Sequence, residues 1–340
     1  MPNILRLVSL CFILFLFATC QSPTDEVSIY SGRHYRVDEE LFKKFTEQTG
    51  IRVNLVKADT DQLINRLKLE GKNTRADLLI TADAGRMIAA MNEGLLQPIG
   101  SKEILDQVPA YLHDPEGYWV GFTKRARIMV YHHGRVDPAE LTTYEELTLP
   151  QWKGRVLVRS SQNHYNQTLM ASVIAANGKE KAVLWAEGMV ANMAQPPRGN
   201  DRDQVKSIAA GVGDIAIVNT YYMGLLLNSP NAEERAIAQQ MGIFFPNQDD
   251  RGAHINISGI GITAASQNKK NAQELIGFML SYNSQLTLAE ENHEYPVNTE
   301  VPWPALLEEW GCYKEDTVPL SLLGQYLQDA MVIFNRAGWE

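Results

Sequence analysis

Thirteen tyrosines are spread along the 340 residues. Five of them stand where a strand-like run gives way to polar, turn-like sequence. Tyr30 and Tyr35 lie in YSGRHY together with His34, Tyr165 lies in SSQNHYNQ, and Tyr221 and Tyr222 form the pair in VNTYYMG. The preceding runs VSIY, RVLV and DIAIVN read as strands. In open α/β sheets ligands bind beyond the carboxyl ends of strands, so these groups can converge on one cleft although they are far apart in sequence. Phenol rings placed there can stack on or hydrogen-bond an organic solute, cover a lobe surface, or hold a metal ion. By residue type alone an organic-ligand cleft suits the set better than a metal site. Tyr30 reads as packing in that cleft.

The sequence offers little recognisable enzyme chemistry. It contains no G-x-x-x-x-G-K-[ST] phosphate loop, no H-E-x-x-H, no C-x-x-C and no G-x-S-x-G elbow. GIGITA (259–264) matches a relaxed dinucleotide fingerprint but lacks the strand–turn–helix context and the acidic partner. His132 and His133 are adjacent, and adjacent strand residues face opposite ways, so the pair reads as a solvated turn before Gly134 rather than a metal site. SSQNH (160–164) is the nearest approach to an activated serine, with no motif around it. No catalysis is expected.

The elements that would position the tyrosines alternate between strand and helix from Val27 onward, the mark of an α/β fold with a mostly parallel sheet. After VSIY, Asp38 can cap a helix whose Leu41, Phe42 and Phe45 share a face and which stops at Gly50. IRVNLV, ADLLITA, RVLV, DIAIVN and HINISGIGI supply further strands. Helices are expected over 61–70, in AGRMIAAMNEG, within NQTLMASVIAANG, in KAVLWAEGMVANM and in NAQELIGFMLS. No repeat of 20–50 residues is present, which excludes a solenoid. The length suits about two domains, so two α/β lobes with a cleft between them are expected.

Composition agrees with an ordinary globular body, with 45% hydrophobic and 21% charged residues. Thirty-one basic against 40 acidic residues give a net charge of −9, and no Lys/Arg stripe stands out, so a nucleic-acid partner is not expected. Residues 1–20 read as a secretory signal: Arg6, an apolar run from Leu7 to Ala18, then polar sequence. The run of about 12 apolar residues is too short to span a bilayer, which takes about 20. Phe17-Ala18-Thr19-Cys20 resembles a lipoprotein cleavage box in which Cys20 would be lipidated, although Thr19 departs from its small-residue preference. Export would leave Cys312 as the body's one cysteine, with no internal disulfide.

VSIYSGRHYRVDEELFKKFTEQTGIRV, RADLLITADAGRMIAAMNEGLLQP, SSQNHYNQ and GDIAIVNTYYMG, in this order, closely resemble the ferric-iron-binding periplasmic proteins of ABC importers, the ferric-binding-protein and FutA group. The resemblance runs over essentially the whole chain after the signal. It implies a two-lobed periplasmic-binding protein of type II, with the ligand cleft between lobes joined by two hinge strands. It places the hinge near 120–126 and 250–256, lobe one at 27–121 plus 253–300, and lobe two at 122–252 plus 301–340. By motif, His34 and Tyr35 would ligate ferric iron from one lobe and Tyr165, Tyr221 and Tyr222 from the other. Arg125 in GFTKRARIMVY resembles the family's arginine behind the ligands, there to neutralise excess negative charge or to hydrogen-bond a phenolate.

Ferric iron is small, hard and triply charged, so it favours anionic oxygen over sulfur, and phenolate supplies that oxygen. A free tyrosine is neutral at pH 7, but a bound cation favours the ionised form, so binding should release protons and acid should reverse it. Four phenolates and one imidazole make five ligands, so no synergistic anion is expected to be obligatory. The implied partner is an ABC permease in the inner membrane, met in the periplasm by a monomer that is anchored if Cys20 is lipidated. The competing expectation is a binding protein for a polyamine, thiamine or sugar-acid type solute held by the same tyrosines.

Overall fold

The computed structural model describes residues 25–340; the signal segment and Cys20 lie outside the described residues. Nine strands form one continuous curled sheet: β1 (Glu26–Ser31), β2 (Arg52–Lys57), β3 (Leu78–Thr81), β4 (Leu96–Gln97), β5 (Trp119–His132), β6 (Val156–Leu157), β7 (Ile215–Asn219), β8 (Met241–Phe244) and β9 (Ile255–Thr263). The path runs β2-β1-β3-β9-β5-β7-β6, with β4 added to β9 and β8 to β5. The pairs β1–β2, β1–β3 and β6–β7 are parallel. All pairs made by β5 and β9 are antiparallel, so the sheet is mixed rather than mostly parallel. The two long strands β5 and β9 run along each other in opposite senses, which makes their ladder antiparallel.

The helices that concern the site are α1 (Arg36–Thr49), α2 (Thr60–Glu70), α3 (Ala84–Asn92), α4 (His164–Asn177), α5 (Lys179–Asn192), α6 (Asp201–Ala209), α7 (Thr220–Leu227), α8 (Lys269–Leu280), α9 (Tyr282–Asn292), α10 (Leu320–Gln325) and α11 (Leu327–Ala337). Helix α1 buries Leu41, Phe42 and Phe45 and ends at Gly50, whose φ of 76° is left-handed. Its N-cap is Tyr35 rather than Asp38, because the Asp38 carboxylate is occupied by the Arg33 guanidinium at 2.8 Å. In α2 and α3 the caps are Asp59 and Asp83, each accepting a backbone N–H two or three residues ahead.

One core gathers Ile29, Phe45, Leu79 and Ile260 on the β1–β3 side of the sheet. Two others hold Met129, Trp185, Ile217 and Phe334, and Ile128, Val218 and Leu226, around β5 and β7. Helix α10 packs against both α3 and α4 and α11 against α4 and α5, so the carboxyl-terminal helices strap one side of the molecule to the other. Strand β5 is buried along nearly its whole length although it carries Lys124, Arg125 and Arg127. Charges rarely tolerate such burial unless paired: Lys124 meets Glu315, Arg125 lies near Glu294 and Arg127 meets Asp201.

Candidate metal centre

Tyr35, Tyr165 and Tyr221 meet. The Tyr35 hydroxyl donates to that of Tyr221 at 2.9 Å, Tyr165 and Tyr221 oxygens lie 3.1 Å apart, and Tyr35 and Tyr165 oxygens 3.4 Å. The chain separations of these contacts are 186, 56 and 130 residues, so only the fold brings them together. A small hard cation with metal–oxygen bonds of about 2.0–2.1 Å in octahedral geometry has ligand edges of about 2.9 Å. The triangle of phenol oxygens is close to one face of such an octahedron.

None of the three sits in a turn. Tyr35 is the N-cap of α1, Tyr165 the second residue of α4, and Tyr221 the second residue of α7, directly beyond β7. The Asn163 side chain caps α4 by accepting the Tyr165 N–H at 3.1 Å. Three helix amino termini therefore gather around the oxygens, and the partial positive charge of each favours phenolate over phenol. Tyr222 lies beside the triangle with its ring 4.1 Å from that of Tyr221. The exposed His34 has its ring 4.8 Å from that of Tyr35. His34, Tyr35 and Tyr222 line a cavity of about 670 Å³ together with Arg159, Asn200 and Arg202. Of the five residues expected as ligands, His34, Tyr35 and Tyr222 line this cavity, and Tyr165 and Tyr221 join it through the Tyr35 hydroxyl.

Burial pushes the Tyr35 and Tyr221 hydroxyls well above the ordinary phenol range, and the neighbouring tyrosines add to it because one negative phenolate disfavours another. Tyr222 is raised for the same reasons. Without a cation these three phenols are neutral. Partial burial and then the Arg33 charge lower the imidazole pKa of His34, which leaves it neutral with a lone pair to give. Among the described residues no group of three His, Cys, Asp or Glu is placed to hold a metal ion.

Three guanidinium groups surround Tyr165: Arg125 at 5.5 Å from its ring centre, Arg127 at 5.8 Å and Arg159 at 5.6 Å. Arg125 makes no hydrogen bond to a phenol oxygen. Its donors go to Ser258 Oγ at 2.9 Å and to the Ala82 carbonyl, with Glu294 3.7 Å away. What it gives the tyrosines is charge through space. Arg127 is held by Asp201 at 2.6 Å and Asn166 at 2.8 Å, and Asp201 also receives Arg159 at 3.3 Å. Arg159 escapes a search by motif. It borders the cleft with Tyr222, its Nε is buried without a partner, and burial opposes its charge while Asp201 and the tyrosines favour it. The signal was available, since Arg159 directly follows the strand-like RVLV and precedes SSQNHYNQ.

Tyr30 does not pack in the cleft. It is buried on the α2 side of β1, where its hydroxyl donates to Glu70 at 2.9–3.0 Å and Arg66 covers its ring at 4.6 Å. His132 and His133 end β5 as a partly exposed turn in which His132 Nδ1 accepts the Gly134 N–H at 3.0 Å.

Gly224, one turn along α7 from Tyr221, has the His293 ring against it; a Cβ there would stand 2.5 Å from His293 Cβ and Cγ. The Gly224→Ala variant should lose about 1–3 kcal/mol to overpacking. That exceeds the helix-propensity gain of up to about 1 kcal/mol. Chemical denaturation measures the balance, and a net gain in stability would show that His293 moves freely.

The model of the bacterial extracellular solute-binding proteins matches residues 40–314. The chain belongs to this family. This solute-binding protein is 47% identical to "Iron uptake protein A1" of Synechocystis over 93% of its own length and 88% of that protein's. A Trichodesmium structure described as IdiA/FutA in complex with iron and citrate ligands superposes with a TM-score of 0.88 at 44% identity, covering 93% of this chain and all of that one. A ferric binding protein from Campylobacter jejuni superposes with a TM-score of 0.89 at 42% identity over 92% of this chain and all of that one. These neighbours establish the type II two-lobed architecture.

Proposed function

We propose that this protein captures ferric iron between its lobes and delivers it to an ABC permease in the inner membrane. The observation that carries this reading is the triangle of phenol oxygens, 2.9, 3.1 and 3.4 Å on its edges, drawn from residues on both sides of the crossing strands. Oxygens that close suit one hard cation shared among them. The iron-binding names of its relatives point the same way. Tyr35, Tyr165, Tyr221 and Tyr222 serve as phenolate ligands and His34 as the imidazole ligand. Five protein ligands make an exogenous anion dispensable, and the protein performs no catalysis.

The lobes divide at 27–121 plus 253–300 and 122–252 plus 301–340, so a cation held by both favours the closed state through its differential affinity. The protein works in the periplasm as a monomer, anchored through Cys20 when that residue is lipidated. Addition of ferric citrate to the metal-free protein should produce a visible phenolate-to-iron charge-transfer band. A colourless protein overturns the reading in favour of an organic solute.

Proton release follows from the same chemistry. The phenols are protonated before binding and ionised after it, so the bound form holds fewer protons and affinity rises with pH. The logarithm of the binding constant should climb by about three to four per pH unit between about pH 5 and 8, one for each phenol that ionises. Chelator competition across that range measures it. A slope near zero would mean that the phenols do not ionise.

A further inference from the structure

Arg33 directly precedes His34 and Tyr35, yet its side chain turns away from the cleft and is wholly buried. Its guanidinium forks onto two carboxylates: Asp38 of α1 at 2.8 and 2.9 Å, and Glu294, just past α9, at 3.0 and 2.8 Å. The same group donates to Thr123 Oγ1 of β5 at 3.2 Å and to Ser258 Oγ of β9. Thr123 and Ser258 are register partners at the point where β5 carries an extra residue, Phe122. Glu294 Oε1 also accepts the Thr123 hydroxyl at 2.8 Å and Oε2 the Asn292 amide at 2.8 Å. The guanidinium plane lies between two rings, Tyr35 at 4.5 Å and Phe122 at 5.0 Å.

The charges balance, with Arg33 and Arg125 against Asp38 and Glu294, and both guanidinium groups reach the same Ser258 hydroxyl. Burial alone pushes the Glu294 carboxyl up, but Arg33 and Arg125 hold it below the usual carboxylate range, so the pair stays ionised inside the protein. Buried ion clusters of this kind are seldom justified by stability, since apolar residues of the same shape often do as well. Their better-attested use is to fix one geometry among several. The geometry fixed here is that of the loop bearing the first two ligands relative to the two strands about which the lobes would turn.

We infer that Arg33, clamped by Glu294, is a positioning residue for iron capture: it ties the Tyr35 ring to Thr123 and Ser258 of the crossing strands, so that closure delivers the phenol oxygen to one place. This rests on the iron-binding reading above. A lysine can keep the charge but cannot fork onto two carboxylates in one plane as the guanidinium does. Outer-sphere residues of metal sites typically change affinity by about 10–100-fold when replaced.

The test compares wild type, Arg33→Lys and Thr123→Val. Each is melted without metal, then loaded with ferric citrate and challenged with excess chelator while the charge-transfer band is followed. Arg33→Lys should fold, show a band displaced or weakened relative to wild type, and lose iron at least about tenfold faster. Thr123→Val keeps every ion pair and removes the hydroxyl that links Arg33 and Glu294 to β5; it should lose iron faster, with a smaller drop in metal-free melting point than Arg33→Lys. If Arg33→Lys does not fold, Thr123→Val alone decides. A band and a loss rate equal to wild type in a folded variant would overturn the inference while leaving iron binding standing. A wild-type protein that never colours would instead overturn the iron reading, and this inference with it.

Discussion

Tyr221→Phe is expected to lower ferric-iron affinity by more than about 100-fold and to remove much of the charge-transfer band. The Tyr221 oxygen is the shared corner of the triangle, 2.9 Å from Tyr35 and 3.1 Å from Tyr165. Phenylalanine keeps the edge-on contact with the Tyr35 ring at 5.6 Å and the packing on Tyr222 at 4.1 Å, so only the donor atom is lost. Removing a residue that merely supports a ligand costs about 10–100-fold in metal affinity, and removing the ligand itself should cost more. The variant should remain folded, with a loss of about 1 kcal/mol for the missing hydrogen bonds. Chelator competition and the visible spectrum measure the effect together. Affinity within tenfold of wild type would show that the triangle is not the binding face.

Asp201→Ala should be the most destabilising single change near the site, at about 3–5 kcal/mol. The carboxylate is fully buried at the start of α6 and accepts Arg127 at 2.6 Å, Arg159 at 3.3 Å and the Asn219 backbone N–H at 2.8 Å. Without it, two guanidinium groups face the ring of Tyr165 and each other with no counter-charge, and a buried uncompensated charge is what makes the loss large. The same deletion frees the backbone at the end of β7, immediately before the Tyr221–Tyr222 pair. Urea unfolding measures the change. A loss below about 1 kcal/mol would mean that water reaches the pair and screens it.

The sequence made the site legible for a geometric reason. Tyr35, Tyr165 and Tyr221 each follow a strand, and strand ends on one edge of a curled sheet approach one another whatever the intervening length. What it concealed was the support. Arg33, Arg127 and Asp201 carry no periodic or motif signal, because their meaning lies in contacts spanning tens to hundreds of residues, such as Arg33 with Glu294. Asp38 shows the same competition on a small scale. By local rule it is a helix cap, but a buried guanidinium holds it and the helix opens three residues earlier, at Arg36 with Tyr35 as its cap. Tyr30 was misplaced because alternation along β1 fixes that neighbours face opposite ways but not which way is toward the cleft. The mixed sheet was hidden too, since direction of travel between lobes is a property of the whole chain path.

The extra residue in β5 bears on how this protein can diverge. Val120 and Gly121 pair with Ile260 and Gly259, Phe122 is skipped, and Thr123 resumes opposite Ser258. From there Thr123, Arg125 and Arg127 fall on one side by simple alternation. Loss or gain of a single codon in this stretch would turn all three groups to the opposite face of the strand at once, whereas an exchange of one letter disturbs only itself. Descendants of this gene should therefore differ here in spelling while keeping the count, and length changes should collect in surface loops that carry none of these groups.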